Sequence, residues 1–197
     1  RKLYVYLRRR NTDQQTEYGD LMLDGAKMHT WFDTEWDYGF RAQRIVDLIE
    51  NAPGPIDIAW IQNIQGDDMD LNAQTLLPVL MALPLADERL EEARAVLQGW
   101  EGQNTMDSAP AALFEVFWKN LLAVTFQDDL PEDSWPGGGG RWFEVMRQLV
   151  PQPDSPWWDD KTTPAVEDRD QMFQQAFAQA VSELEQLQGK NPARWAW

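Results

Sequence analysis

The spacing of the apolar residues changes near residue 38 of the chain. In the opening segment RKLYVYLRRR, Leu, Val and Tyr alternate as in a short strand, and LMLDG at residues 21–25 is a candidate for a second one. Further on, apolar residues recur every three or four positions, which is the period of an amphipathic helix. The pattern predicts a mainly α chain with short N-terminal strands, divided into a strand and loop segment at residues 1–35 and a helical region at residues 36–197.

Prolines, glycines and acidic residues divide the helical region into separate helices. FRAQRIVDLIEN stops at the PGP of residues 53–55, and Asp57 is suited to cap the next helix, IAWIQNIQ. DLNAQTLLPVLMALP predicts a helix in which Pro78 is a candidate for a kink, and ADERLEEARAVLQGW carries its acidic residues near the start, where the helix dipole favours them. Gly189 is the expected stop of the last helix.

Two segments carry enough apolar residues to form the core. DSAPAALFEVFWKNLLAVTF predicts the most buried helix, with Asp107 as its N-cap. VEDRDQMFQQAFAQAVSELEQLQG predicts a second long helix with one apolar face. The residues expected inside are Leu113, Phe114, Phe117, Trp118, Leu121 and Leu122 in the first helix, and Phe173, Phe177, Val181 and Leu184 in the second.

Composition and charge exclude several classes of function. The 197 residues include 33 acidic and 17 basic side chains, so nucleic acid and anionic membrane surfaces are poor partners. There is no cysteine, which excludes disulfides, thiolate zinc sites and cysteine nucleophiles. No apolar run approaches the ~20 residues that span a bilayer. Eleven tryptophans suit a packed core or a concave binding site.

The common catalytic and metal motifs are incomplete. The only histidine is His29, and no G-x-S-x-G accompanies it, so we interpret it as a plain loop histidine. GDDMDLN spaces Asp68, Asp70 and Asn72 like the start of a calcium loop, but the later glycine and glutamate of that loop are missing. A helix start with solvated acidic residues is the better interpretation. The GGGG run lacks the G-K-[ST] of a phosphate loop and predicts a linker, and WWDD predicts a loop anchored by its aromatic residues.

Five segments, in this order, resemble one family. They are WDYGFRAQRI, IQNIQGDDMDLNAQTLLPVL, LQGWEGQNTMDSAPAALFEVFWKNL, WWDDKTTPAVEDRDQMFQQAFAQAVSEL and NPARWAW. Together they resemble the later part of the β-subunit of the penicillin acylase family, which includes penicillin acylases and acyl-homoserine lactone acylases. The resemblance covers residues 36–197.

This resemblance implies an N-terminal nucleophile hydrolase with a four-layer αββα fold, of which the chain supplies mainly the helical part. A serine outside the chain would attack an amide carbonyl and form an acyl-enzyme, and backbone N–H groups with an asparagine amide would stabilise the oxyanion. The chain alone is therefore expected to be inactive. Its partners would be the remainder of the α- and β-subunits and an acylated amine, in the periplasm or outside the cell. No cofactor is expected in this segment, whereas the whole enzyme is a candidate for calcium.

Arg41 is the one catalytic-site residue that the resemblance carries over. In the family, an arginine at this point of Y-G-F-R reaches the neighbourhood of the nucleophile. Arg44 is better interpreted as a salt-bridge residue, and Arg41 itself has the alternative of pairing with Glu35 or Asp37. The chain departs from the family in YGDLMLDGAKM, which lacks the expected asparagine pair. Asp24 lies near that position, but a carboxylate would repel an oxyanion, so it is not assigned the role.

Two other classes of function remain open on the residues themselves. One is a free-standing, tryptophan-rich helical binding or interaction module without catalysis. The other is a structural domain with no site. Because the sequence begins with Arg1 within an apparent strand and ends at Trp197 within an apparent motif, we expect a fragment. A fragment should expose apolar helix faces.

Overall fold

The computed structural model describes residues 18–23, 26–31, 38–85 and 87–197. The chain divides into two compact units, residues 1–37 and 38–197. In the first unit, strands β1 (Tyr18–Leu23) and β2 (Ala26–Trp31) form an antiparallel hairpin in which Leu23 lies opposite Ala26 and Tyr18 opposite Trp31. The strand expected within RKLYVYLRRR lies outside the described residues, and the LMLDG segment contributes its first three residues to β1.

The second unit is mostly helical. Its α-helices within residues 38–85 and 87–197 are α1 (Phe40–Glu50), α2 (Ile58–Gln65), α3 (Ala73–Ala82), α4 (Glu88–Ala95), α5 (Ala109–Phe126), α6 (Gly140–Leu149) and α7 (Arg169–Gln188). Short 3₁₀ turns lie at Glu132–Ser134, Pro156–Trp158 and Pro192–Arg194. None of the helices in these ranges combines the length and hydropathy needed to cross a bilayer.

Helices α5 and α7 pack along one another and form the centre of the core. The Phe117 ring centroid lies 5.6 Å from that of Phe173 and 6.2 Å from that of Phe177, so aromatic rings fill the space between the two helices. Trp158 is fully buried against Phe173, with a centroid separation of 6.0 Å. All ten core residues predicted for these two helices are buried, which confirms the prediction.

The helix ends follow local chemistry, with one correction. Asp57 caps α2 as predicted, because its carboxylate accepts a hydrogen bond from the Trp60 N–H at 2.8 Å. The predicted Asp107 cap of α5 is wrong: the cap is Ser108, whose hydroxyl accepts from the Ala111 N–H. An N-cap side chain bonds the N–H two or three residues into the helix. Three positions after Asp107 stands Pro110, which has no N–H to donate.

Candidate functional site

Arg41 is the second residue of α1 and is exposed to solvent. Among the residues that the structure describes, it has no hydrogen-bond or ion-pair partner. The first turn of α1 contains no acidic residue. A cation at a helix N-terminus faces the positive end of the helix dipole, which disfavours it by a few tenths of a kcal/mol. The position of Arg41 therefore does nothing for the stability of α1. The alternative partners Glu35 and Asp37 lie outside the described residues.

Aromatic packing fixes the start of α1. Gly39 has a φ of +77°, a left-handed conformation that favours glycine, and its carbonyl accepts the first helical hydrogen bond from the Gln43 N–H at 2.7 Å. The Phe40 ring lies edge-on to Phe143 of α6, with centroids 5.5 Å apart. Phe143 in turn contacts Trp118 of α5 at 5.7 Å. The residue next to Arg41 is thus anchored on the core of the unit.

A bidentate salt bridge holds the middle of α1. The Arg44 guanidinium donates from Nε and Nη2 to the two carboxylate oxygens of Asp67, at 2.8 and 2.7 Å. This fork geometry fixes orientation as well as distance. The hydrogen bond from Arg44 holds the pKa of Asp67 below its ordinary value. Arg44 is therefore a salt-bridge residue, as predicted, and it ties α1 to the segment that follows α2.

A third contact joins α1 to α2 directly. The Trp60 indole N–H donates to the Leu48 carbonyl at 3.1 Å, in the last turn of α1. Phe40, Arg44 and Leu48 lie four residues apart, so they form one row along the same side of α1. Arg41 stands outside that row. The contacts of α1 therefore fix the backbone that carries Arg41 and leave its side chain exposed.

A group of buried and half-buried polar side chains lies where the start of α3 meets α5, and the sequence pattern did not indicate it. Asp70 and Asn72 are both buried, and the Asp70 carboxylate accepts from the backbone N–H of Asn72 at 2.8 Å. Asn104 donates to Glu115 of α5 at 2.6 Å. Gly102 has a φ of +108°, and a Cβ on it would lie only 2.9 Å from the Asp70 carbonyl oxygen. Glycine is the residue that fits there.

The electrostatics of this group differ from those of a solvated helix start. Burial, with a smaller contribution from the negative charge of Glu115, raises the pKa of Asp70 to about 6. Burial also raises the pKa of Glu115. The prediction of solvated acids is therefore wrong for Asp70, because the segment after Trp100 folds over it through hydrogen bonds from Asp70 N–H to the Gly102 carbonyl and from Asn104 N–H to the Asp68 carbonyl. Such long-range pairing leaves no periodic signal in the sequence.

The structure also tests the other candidate residues from the sequence, namely His29, the possible metal ligands and the WWDD loop. His29 lies in β2 rather than in a loop, so that interpretation is wrong. Within the described ranges, no group of three or more His, Cys, Asp or Glu side chains is arranged to hold a metal ion. In the WWDD loop, Trp158 is buried and donates to the Gln152 carbonyl at 2.8 Å, while Trp157 packs on Phe126. That loop is anchored by its aromatic residues, as predicted.

An open apolar groove lies between α3 and the turn that follows α4. It has a volume of about 510 Å³. Met69, Leu77, Met81, Leu97 and Trp100 supply most of its apolar lining, with Glu101 and Gln98 at polar positions. A groove of this kind can accept an apolar side chain or a short acyl chain.

Comparison with known proteins defines the family. The sequence model of the penicillin amidase family matches residues 11–197, and the chain belongs to that family. An acyl-homoserine lactone acylase, QuiP, of Pseudomonas putida is 29% identical over 183 residues, which cover 82% of this chain and 22% of that protein. The QuiP of Pseudomonas aeruginosa is 30% identical over 188 residues, with the same two coverages. In Pseudomonas fluorescens, QuiP is 34% identical over 133 residues, 64% of this chain and 16% of the relative.

The chain thus spans about a fifth of the length of the curated relatives that it matches. Arg41 falls within the matched residues, and its role stays a prediction.

Proposed function

We propose that this chain is the helical part of a penicillin amidase-family acylase that hydrolyses the amide bond between an acyl group and an amine. The observation that carries the proposal is the family match across residues 11–197. The nucleophile would be an N-terminal serine outside these residues, in an N-terminal nucleophile hydrolase with αββα layers. The chain by itself would then be inactive.

In this mechanism the serine Oγ attacks the amide carbonyl, and its proton passes to the serine's own α-amine. The oxyanion collapses, the C–N bond breaks, and the amine leaves with that proton. Water then attacks the acyl-enzyme ester with the α-amine as base, which releases the carboxylic acid and regenerates the serine. Nothing in the chain beyond a positioning cation is needed for these steps.

Arg41 supplies that cation. A guanidinium carries a permanent charge and five N–H donors in a rigid plane, so it can orient an amide side chain and the serine at once. Its charge also lowers the pKa of a nearby amine and keeps the amine unprotonated as a base. The exposed, unpartnered position of Arg41 in the described part of the chain supports this role.

The names of the relatives supply the first substrate class to test, N-acyl-homoserine lactones, whose amide links a fatty acyl chain to an amine. Calcium in the whole enzyme and a periplasmic or secreted location are part of the same proposal. Fractionation of the source cells tests the location. Calorimetric titration of the metal-free whole protein with Ca²⁺ tests the ion.

The proposal is tested in the whole gene product with Arg41→Ala. We expect kcat/KM for an N-acyl-homoserine lactone to fall by roughly 10²-fold, as for other removed positioning donors. We also expect the acidic limb of the pH profile to move to higher pH, because loss of the cation raises the pKa of the α-amine. Arg41→Lys should keep part of the activity and the original limb.

Arg141→Ala is the matched control, since Arg141 is likewise exposed and is the second residue of α6. It should change kcat/KM less than twofold. Equal effects at Arg41 and Arg141, or a reading frame without an upstream serine that can become the N-terminus, would overturn the assignment.

The second candidate function is a helical binding module without catalysis, and the groove beside α3 favours it. If the whole product hydrolyses no amide, the change in tryptophan fluorescence that is lost in Trp100→Phe reports binding of fatty acids of increasing length in the groove. Saturable binding that Leu77→Asp abolishes would support the module. Absence of both activities would leave a structural role.

A further inference from the structure

Helices α1 and α2 expose apolar side chains that a stable protein normally buries. Neither helix contains a buried residue, in contrast to α3 to α7. Ile49 is 43% exposed and Ile58 is 80% exposed. The α1–α2 apolar surface consists of Ile45, Val46, Ile49, Ile56, Ile58 and Ile61. Isolated exposed isoleucines are ordinary, but six on two adjoining helices and their connection indicate a contact surface.

The contacts described above hold this surface in place. The Trp60 indole donates a hydrogen bond to the backbone of α1, and Arg44 forms a salt bridge with Asp67, which follows α2. Phe40 packs on α6. Polar and aromatic contacts thus fix the two helices on their inner side, and the isoleucines remain on the side that the unit does not use. A surface held rigid before binding loses little conformational entropy when a partner covers it.

Arg41 belongs to the same side of α1 as the exposed isoleucines. Arg41, Ile45 and Ile49 are spaced by four residues and are all exposed, so they form one row along the helix. A partner that covers Ile45 and Ile49 therefore also approaches Arg41. Once a partner covers the surface, the Arg41 cation therefore lies beside buried side chains.

Two partners have to be compared for this surface, a second copy of the chain and another part of a longer polypeptide, and their charges distinguish them. A second copy of the chain would also carry a formal net charge of −16, so two copies repel one another. The curated relatives are about five times as long as the segment that they share with this chain. The exposed carboxylates at the rim, Glu50 and Asp57, favour a partner with basic residues around an apolar centre.

We propose that the α1–α2 apolar surface binds an apolar, basic-rimmed face of the remaining part of the penicillin amidase polypeptide. The Arg41 row then lies along this interface. The inference rests on the proposed function in one respect, namely that this chain acts within a longer acylase. The inference assigns the surface through which the two parts join, and it places Arg41 at that contact.

The test compares Ile45→Gln/Ile49→Gln in the 197-residue chain and in the whole gene product. In the chain alone the melting temperature should stay within about 1 °C, because both side chains are already exposed. In the whole protein it should fall by about 5 °C, because two buried isoleucines become unpaired amides. The matched control is Val166→Gln/Leu187→Gln, at two exposed apolar residues far along the sequence, which should change neither protein.

A cross-linking measurement covers the case in which the double variant fails to fold. Replacement of Ile49 with photoreactive benzoylphenylalanine in the whole protein should yield cross-links to peptides outside these 197 residues. No such cross-link together with an unchanged melting temperature would overturn the proposal. Cross-links between two copies of this segment would overturn it in favour of a dimer.

Amide hydrolysis is assayed on the same samples, which separates the two proposals. Cross-links without hydrolysis would remove the proposed function and keep the surface. Hydrolysis without cross-links or destabilisation would keep the function and remove the surface.

Discussion

Helices α5 and α1 have similar sequence patterns but opposite environments, since α5 is mostly buried and α1 contains no buried residue. Both carry apolar residues at helical spacing. In α5, eleven of 18 residues are buried, whereas α1 buries none of its 11. The difference lies in what faces each helix. α5 is covered by α7 along its length, while α1 is held by single contacts at Phe40, Arg44 and Leu48.

This comparison shows that amphipathicity predicts a buried face without saying what buries it. The core of the unit is complete around α5 and α7, so it can support a cooperative fold. The α1–α2 pair is held by polar and aromatic contacts and leaves its isoleucines exposed. Mutations should therefore separate the two regions by the size of their effects on the free energy of unfolding.

The largest difference is expected between Phe117→Ala in α5 and Ile49→Ala in α1. Phe117 is fully buried among Phe114, Phe173 and Phe177, so its loss leaves a cavity and should cost about 3–5 kcal/mol. Ile49→Ala in the same chain should cost less than about 0.5 kcal/mol. Urea unfolding of the 197-residue chain, followed by tryptophan fluorescence, measures both.

Comparable losses from the two substitutions would contradict this comparison, since they would mean that α1 contributes to the core as α5 does. Phe117→Leu is a useful intermediate. It keeps most of the buried volume and should recover more than half of the loss.

The core helices were predictable from the sequence, whereas several positions outside their buried rows were not. The buried rows of α5 and α7 were predictable because local periodicity and burial coincide there. The cap at Ser108 was missed because Pro110, three positions after the predicted cap Asp107, has no N–H to donate to it. Burial of Asp70 could not be predicted at all, since it depends on a segment some 30 residues later that folds over it. The role proposed for Arg41 rests on family resemblance and stays a prediction, because its exposure carries no periodic signal.

The second prediction concerns Asp70, which is buried beside the start of α3. Its pKa is about 6 in the folded protein against an ordinary value of 3.8. A carboxyl group with a raised pKa stabilises the fold below its unfolded pKa, and this stability is lost as the pH rises through about 6. Since one pKa unit corresponds to about 1.4 kcal/mol, the loss is on the order of 3 kcal/mol.

Asp70→Asn should therefore raise the free energy of unfolding at pH 8 and have little effect at pH 2.5, where Asp70 is protonated in both states. Denaturant unfolding across this pH range gives the difference from the wild-type chain. Asp68→Asn, at the exposed neighbour two residues earlier, is the matched control for the loss of one carboxylate. A constant difference between Asp70→Asn and wild type at all pH values would mean that Asp70 does not titrate near 6.

The smallest effect is expected at the Arg44–Asp67 salt bridge, which attaches α1–α2 to the rest of the unit. Both side chains retain some exposure, 23% and 19%, so we expect a coupling of about 1 kcal/mol in a double-mutant cycle of Arg44→Gln and Asp67→Asn. Because the pKa of Asp67 is lowered, this contribution is present above the unfolded value near 3.9 and is lost as the pH falls through the folded pKa. Denaturant unfolding at pH 7 and at pH 2.5 measures it.

The pair at Glu144 and Arg147 is the matched control within a single helix, where the coupling should be smaller because the two residues join no separate elements. If the Arg44–Asp67 coupling vanishes at pH 7, the salt bridge does not hold α1 in place, and the fixed backbone that carries Arg41 would depend on Phe40 and Trp60 alone.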